Sequence, residues 1–67
     1  MSVVKVIEVL GTSKTDWNDA IQTALDETAK TVSNIVGIDV IGMSGKVENN
    51  RIVEYKADVK VAFVVKR

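Results

Sequence analysis

Few side chains in this sequence are equipped for covalent catalysis. Ser13 and Ser44 carry hydroxyl groups, but the chain has no histidine that would act as their general base. Asp26 and Glu27 are neighbouring carboxylates on the polar surface of a predicted helix, where they are expected to face solvent. Because cysteine is absent as well, disulfide bonds and zinc thiolate sites are excluded. The sequence therefore predicts a protein that is not an enzyme.

Three short segments contain residue types that occur in ligand-binding sites. Glu48-Asn49-Asn50 offers oxygen ligands for calcium, but it lacks the spacing of a calcium-binding loop and is interpreted as a plain turn. Gly11-Thr12-Ser13 precedes a helix, as phosphate-binding loops do, but without a glycine-rich loop it is interpreted as a tight connector. Trp17, the only tryptophan, is a candidate ligand platform, but it begins an apolar helical stripe and is expected to pack in the core.

The first half of the chain predicts one strand and one helix. Residues 3–10 are rich in β-branched side chains and predict a strand that ends at Gly11-Thr12-Ser13. Thr15 is the predicted N-cap of a helix at about residues 16–34, with Asp16 in its first turn. The predicted apolar stripe of this helix consists of Trp17, Ala20, Ile21, Ala24, Leu25, Thr28, Ala29, Val32 and Ile35.

The second half predicts a long β-hairpin. Residues 37–47 and 52–65 are β-branched runs, and residues 48–51 form the turn between them, because asparagine tolerates positive φ. Residues 52–65 alternate strictly, so that one face is expected to pack on the helix. The side chains on that face are Val53, Tyr55, Ala57, Val59, Val61, Phe63 and Val65. The other face carries Glu54, Lys56, Asp58 and Lys60. The chain is thus predicted to be one α+β domain over residues 1–67 with the order β-α-β-β, a three-stranded antiparallel sheet wrapped around one helix.

The lengths of these elements favour an assembly of several copies. A domain of 67 residues removes only about 60% of its unfolded surface from water. Without disulfides or a metal, oligomerisation is the expected source of further stability. The predicted helix is about 28 Å long, whereas the second hairpin strand spans about 43–46 Å. The hairpin is therefore expected to extend beyond the helix and to contact another subunit.

Charge and hydropathy limit the other partners. Nine basic and nine acidic residues balance, so the composition does not support binding to nucleic acid. No stretch approaches the roughly 20 apolar residues of a membrane span. We expect a soluble, cytoplasmic homo-oligomer without a membrane partner.

Several motifs in this order resemble the dodecin family, over nearly the whole chain and without gaps. The matching segments are Val4-Lys5-Val6-Ile7-Glu8, Gly11-Thr12-Ser13, Trp17, Ala20-Ile21, Thr31-Val32, Asn34-Ile35, Ser44-Gly45, Ile52-Val53-Glu54-Tyr55 and Val59-Lys60-Val61-Ala62-Phe63. The resemblance implies a hollow homododecamer of β-α-β-β subunits that binds flavins, of FMN or riboflavin type, stacked in pairs at two-fold interfaces. It also implies storage or sequestration of the flavin rather than catalysis, and coenzyme A as a ligand at other interfaces.

The chain departs from the family pattern at the residues that the resemblance assigns to the flavin. The family's stacking tryptophan follows the segment that here reads Asn34-Ile35, and its position holds Gly37. Gly42 and Met43 replace a common acidic residue and glutamine, and Lys56 replaces a Gln or Arg near the flavin edge. These four residues are the candidate ligand-binding residues. Stacking on an aromatic side chain contributes about 1–3 kcal/mol, so flavin binding is expected to be weaker by roughly ten- to a hundredfold.

Three of the four candidates, all except Gly42, also have a structural interpretation. Gly37 is interpreted as the glycine that follows the C-terminus of the helix. Met43 is interpreted as an apolar residue that fills a gap in the packing. Lys56 is interpreted as a member of an ion pair among exposed charges of alternating sign. Two hypotheses follow from the sequence. One is a dodecin-like shell that holds flavin or a related planar cofactor weakly, and the other is a dodecin-like scaffold that has lost flavin binding or binds another ligand.

Overall fold

The computed structural model describes residues 3–65, which form three strands and one helix. The elements are β1 (Val3–Ser13), α1 (Trp17–Ala29), β2 (Ile35–Glu48) and β3 (Arg51–Val65). β3 lies in the middle of the sheet, antiparallel to β1 on one side and to β2 on the other. α1 packs mainly on β1 and β3. The predicted α+β fold of order β-α-β-β, with a three-stranded antiparallel sheet, is confirmed.

Small side chains allow α1 to lie close to the sheet. The buried core consists of Ala20, Ala24, Ala57, Val59 and Val61. Gly11 of β1 faces the helix, and a Cβ atom there would clash with the carbonyl oxygen of Ala20 and lie 2.8 Å from Cβ of Ala24. The absence of a side chain at this position therefore sets the distance between helix and strand.

The buried stripe of α1 differs from the predicted stripe at Ala29, and the predicted stripe residues Val32 and Ile35 lie beyond the end of the helix. Ala29, which was expected to face the sheet, is exposed, whereas its neighbour Thr28 is buried. The Thr28 hydroxyl donates a hydrogen bond to the carbonyl oxygen of Ala24, at 2.8 Å. Because its polar atom is satisfied within the helix, a threonine is accommodated in the apolar core.

The N-cap of α1 is Asp16, so the prediction of Thr15 was wrong by one residue. Oδ1 of Asp16 accepts a hydrogen bond from the main-chain N–H of Asp19, at 2.7 Å. This bond satisfies one of the free N–H groups in the first helical turn.

The helix ends at Ala29, so the predicted end at residue 34 was wrong by five residues. The N–H groups of Lys30 and Thr31 donate to carbonyl oxygens three residues earlier, in a tight final turn. Asn34 has a left-handed backbone conformation, with φ of 62°. Its carbonyl oxygen accepts a hydrogen bond from the N–H of Val64, at 3.0 Å, so the chain has joined the sheet by this point.

Both hairpin strands and β1 are longer than predicted. The turn consists of Asn49 and Asn50 alone, both with positive φ (53° and 63°), and Glu48 pairs with Arg51 in the ladder. β1 continues through Gly11-Thr12-Ser13, which was predicted to end it, and pairs there with residues 55–57 of β3. Hydrogen-bonded pairing between the strands continues through segments whose own sequences favour turns, and this pairing lengthens the strands.

The sheet extends far beyond the helix. The described residues measure 52 × 19 × 13 Å, whereas a helix of 13 residues is about 20 Å long. Many large apolar side chains on the sheet are consequently exposed: Val3, Val4, Val6, Leu10, Val36, Ile38, Ile41, Met43, Val47, Ile52 and Val53. Val53 was expected to pack on the helix, but the register of β2 and β3 leaves it without a partner between Lys46 and Val47. Among residues 3–65, no helix has the length and apolar character needed to cross a lipid bilayer.

Candidate ligand-binding face of the sheet

The face of the sheet opposite α1, called the open face below, presents side chains in rows that cross all three strands. Each row contains one residue of β1, its partner on β3 and the partner of that residue on β2. The rows are Val6, Ala62 and Gly37; then Glu8, Lys60 and Asp39; then Leu10, Asp58 and Gly42; and finally Thr12, Lys56 and Ser44. The first row is therefore apolar, and each of the other three contains at least one charged side chain.

Two β-bulges decide which residues of β2 belong to this face. At Val36 and again at Ile41, β2 has one residue more than β3. Ile35 pairs with Phe63 on the helix side of the sheet, and strict alternation would place Gly37 on that side too. The bulge at Val36 instead brings Gly37 opposite Ala62, on the open face.

Gly37 lies in a strand with open space around it. An added Cβ atom would have no heavy atom of its surroundings within 4 Å, and the residue does not have a positive φ. The interpretation of Gly37 as the C-terminal glycine of the helix was wrong, because α1 ends at Ala29 and Gly37 is a strand residue. A shallow cavity of about 420 Å³ lies here, lined by Val6, Gly37, Ile38, Asp39, Lys60 and Ala62.

The other candidate residues do not lie beside Gly37. Gly42 is on the open face opposite Asp58, again with no atom within 4 Å of an added Cβ. Lys56 is also on the open face, but it lies six residues along β3 from the partner of Gly37, a distance of about 20 Å. Met43 pairs with Ala57 and therefore belongs to the helix side of the sheet. One copy of the chain does not bring the four residues together.

Lys56 has an ionic partner within its own strand. Its ammonium nitrogen lies 3.9 Å from a carboxylate oxygen of Glu54, and both side chains are about one-third exposed (37% and 32%). Such a pair contributes little to stability. It does agree with the structural interpretation of Lys56 as a member of an ion pair.

Trp17 connects the start of α1 to the hairpin. Its indole N–H donates a hydrogen bond to the main-chain carbonyl oxygen of Ser44, at 2.8 Å. Its ring contacts Tyr55 edge to face, with 4.8 Å between the ring centroids. Trp17 is half-buried rather than fully buried, but these contacts agree with the predicted packing role.

The Gly11-Thr12-Ser13 segment leads into the helix through side-chain hydrogen bonds. The buried Ser13 hydroxyl donates to a carboxylate oxygen of Asp19, at 2.7 Å, and accepts a hydrogen bond from the main-chain N–H of Thr15, at 3.0 Å. The Ser13 hydroxyl is thus hydrogen-bonded within the chain, which agrees with the interpretation of this segment as a tight connector.

In the Glu48-Asn49-Asn50 segment only the two asparagines form the predicted turn, because Glu48 is the last residue of β2. The two asparagines have the positive φ angles of the hairpin turn, and the Glu48 carboxylate lies 3.5 Å from the ammonium group of Lys46. Over residues 3–65, no three His, Cys, Asp or Glu side chains are grouped in a way that would hold a metal ion.

Two carboxyl groups share the charged part of the open face. A hydrogen bond with Asp58 raises the pKa of Glu8, and the negative charge of Asp58 raises it further. The charge of Lys60, directly opposite Glu8, acts in the other direction but is the weaker influence. Glu8 therefore holds its proton more readily than an isolated glutamate does.

Reasoning from the sequence missed the residues that surround Gly37. The alternation of residues 52–65 places Lys60 on the outer face correctly, but it gives no information about Val6 or Asp39. The face that Asp39 occupies depends on the bulge at Val36 and on the register with β3. The unusual run of apolar residues on both faces of β1 was the available signal that its outer face has a partner.

The fold and this face together define a small β-α-β-β protein that exposes apolar sheet surface and a shallow, ring-sized cavity. A sequence model of the dodecin family matches residues 3–66. The chain belongs to the dodecin family, and the resemblance seen in its sequence motifs is confirmed.

Individual relatives agree with this assignment. The calcium dodecin of Mycobacterium tuberculosis is 33% identical over 63 residues, which cover 94% of this chain and 89% of the relative. Its crystal structure, described as having a novel calcium-binding site, matches with a TM-score of 0.83 at 30% identity, covering 96% of this chain and 91% of that one. The crystal structure of a Thermus thermophilus protein matches with a TM-score of 0.95 at 28% identity, covering 100% and 98% of the two chains.

Proposed function

We propose that this protein is the subunit of a closed, dodecin-like homo-oligomer that stores or sequesters a flavin or a related planar cofactor, bound weakly. The observation that carries the proposal is the cavity at Gly37. It has the exposed, apolar floor that a flat ring requires, but no aromatic side chain to stack on that ring.

Exposed apolar surface supports the assembly. Leu10 is 61% exposed on the open face of β1, and Met43 and Val47 are 57% and 60% exposed on β2, because α1 packs mainly on β1 and β3. β1 and β2 are also the two edges of the sheet, and unpaired edges of this length require protection. Closed symmetry would cover both kinds of surface with copies of the same chain. We expect the closed oligomer to contain about twelve subunits, as the resemblance to the family implies.

Several copies would also bring the candidate residues together. Gly37 and Lys56 are about 20 Å apart along one sheet, so a ligand that touches both must lie between subunits. Interfaces at symmetry axes place the same residues of two copies opposite each other. A ligand held there would be bound by Gly37, Gly42 and Lys56 of different copies.

Binding rather than catalysis is the proposed activity. The chain contains neither histidine nor cysteine, and the buried hydroxyl of Ser13 is engaged by Asp19. Coenzyme A as a second ligand and a cytoplasmic location remain part of the proposal as the sequence predicted them. One relative is a calcium dodecin, but calcium binding is a property of that protein and is not part of the proposal.

The second candidate function is a scaffold, or a container for another ligand, that no longer binds flavin. Gly37 also favours this second function, because a glycine offers a ligand no contact beyond its main chain. Equilibrium dialysis of the assembled protein against riboflavin separates the two functions. Saturable binding at micromolar to millimolar riboflavin supports the flavin store, and its absence over this range contradicts it and favours the scaffold.

A further inference from the structure

The row of residues around Gly37 forms a flat apolar floor. Ala62 of β3 lies between Val6 of β1 and Gly37 of β2, and all three are on the open face. Val6 is 56% exposed, and the cavity above the row has a volume of about 420 Å³. Two strand spacings of about 4.8 Å make the floor roughly 10 Å wide. A fused, planar ring system therefore fits on it without displacing a side chain.

A donor and an acceptor stand side by side at one border of this floor. Lys60 and Asp39 are directly paired across β3 and β2, and both line the cavity. Residues directly opposite in an antiparallel pair have Cβ atoms about 5 Å apart. The Lys60 ammonium group donates hydrogen bonds, and the Asp39 carboxylate accepts them. Together they complement a ring edge on which a carbonyl oxygen adjoins an N–H group.

Neither Asp39 nor Lys60 forms a close ion pair with another side chain of residues 3–65. The ion pairs there join Lys30 to Glu27, Lys46 to Glu48 and Lys56 to Glu54. Glu8, directly opposite Lys60 on β1, is not a member of any of these close ion pairs within residues 3–65 either. Asp39 and Lys60 are both exposed and remain available to a ligand on the floor.

We infer that Asp39 and Lys60 determine which planar ligand the protein accepts, by binding the imide or amide edge of a ring that lies on Val6, Ala62 and Gly37. Asp39 accepts from the ring N–H, and Lys60 donates to the neighbouring carbonyl oxygen. This inference rests on the proposed function and assigns specificity to residues outside the four candidates from the sequence. It also gives a reason why a ring is held at all without a stacking aromatic side chain.

Two flavin rings without a sugar chain test the inference directly. Lumiflavin carries the imide N–H, and 3-methyllumiflavin replaces its hydrogen by a methyl group. We expect the assembled protein to bind lumiflavin about tenfold more tightly, because one charge-assisted hydrogen bond is lost in the methylated ring. Asp39→Ala is expected to weaken lumiflavin binding about tenfold and to leave the two rings bound equally.

Matched variants separate this effect from a general change of charge. Glu48→Ala removes a carboxylate from the far end of β2 and is expected to leave the preference intact. Lys60→Met is expected to weaken both rings alike, whereas Lys46→Met is expected to have no effect. Equal affinity of the parent protein for both rings, or a preference that survives Asp39→Ala, would overturn the inference while leaving the flavin store in place. An intact assembly that binds neither ring would contradict the proposed function itself.

Discussion

The indole N–H of Trp17 donates a hydrogen bond to the main-chain carbonyl oxygen of Ser44, with 2.8 Å between nitrogen and oxygen. Trp17 is the first residue of α1, and Ser44 lies in the part of β2 that has little other contact with the helix. The same ring packs edge to face on Tyr55 of β3. One side chain thus fixes the helix against both strands of the hairpin.

Replacing Trp17 by phenylalanine tests this connection. Trp17→Phe keeps an aromatic ring beside Tyr55 but removes the donor to Ser44, and we expect a loss of about 1 kcal/mol in the free energy of unfolding. Urea denaturation at a fixed protein concentration measures the loss. Tyr55→Phe, which retains the ring pair, serves as the control with a smaller expected effect. Equal stability of Trp17→Phe and the parent protein would show that the hydrogen bond has no structural role.

The close approach of α1 to β1 gives a second prediction. Gly11→Ala introduces a Cβ atom where the carbonyl oxygen of Ala20 and Cβ of Ala24 leave no room. Overpacking of this kind costs about 1–3 kcal/mol. Gly42→Ala is the matched control, because the added Cβ meets open space there. Thermal unfolding of the two variants compares them, and similar melting temperatures would mean that the helix lies farther from the sheet than described.

Stability is expected to depend on pH through Glu8. Its pKa is raised in the folded chain by the hydrogen bond and charge of Asp58, against the smaller effect of Lys60. Above the ordinary glutamate pKa of 4.5, the folded state therefore binds more protons than the unfolded state. The stabilising contribution of protonated Glu8 is present at low pH and is lost as the pH rises through the raised pKa.

Substitution of Glu8 by glutamine should remove this dependence. Glu8→Gln mimics the protonated carboxyl group and is expected to be more stable than the parent protein near neutral pH, with a flatter profile between about pH 4.5 and pH 7. Urea midpoints across that range measure the effect. Glu48→Gln, whose carboxylate lies near Lys46 at the hairpin end, is expected to keep the profile of the parent. Identical slopes for Glu8→Gln and the parent protein would contradict the raised pKa of Glu8.

Restoring an aromatic side chain at Gly37 should strengthen flavin binding. The residue lies in a strand without a positive φ, and its surroundings leave space for a side chain, so Gly37→Trp is compatible with the fold. Stacking is expected to tighten riboflavin binding roughly ten- to a hundredfold and to quench flavin fluorescence more deeply. Lys46→Trp adds the same side chain near the hairpin turn, away from the proposed binding residues, and serves as the control. No gain in Gly37→Trp, with the assembly intact, would favour the scaffold.

The alternation of residues 52–65 predicted β3 and placed most of its side chains on the correct face, although Val53 does not pack on the helix. The helix boundaries were harder to predict. Val32 and Ile35 continue the helical spacing, but the left-handed Asn34 turns the chain into the sheet. The position of Gly37 on the open face was not predictable, because it follows from a bulge at Val36 that depends on pairing with β3. Local sequence preferences predicted the type and order of the elements, whereas pairing between strands distant in sequence decided the ends of the strands and the residues of the site.

Sedimentation velocity with riboflavin present, recorded at both the protein and the flavin absorption bands, tests the central claim most directly. The protein is expected to sediment at micromolar concentration as one large species of about twelve subunits, with flavin absorbance moving at the same boundary. The apolar surface of the overhanging hairpin and the open cavity at Gly37 are the physical basis of this expectation. A stable monomer or dimer, or a large species from which all flavin absorbance stays behind, would contradict a dodecin-like flavin store.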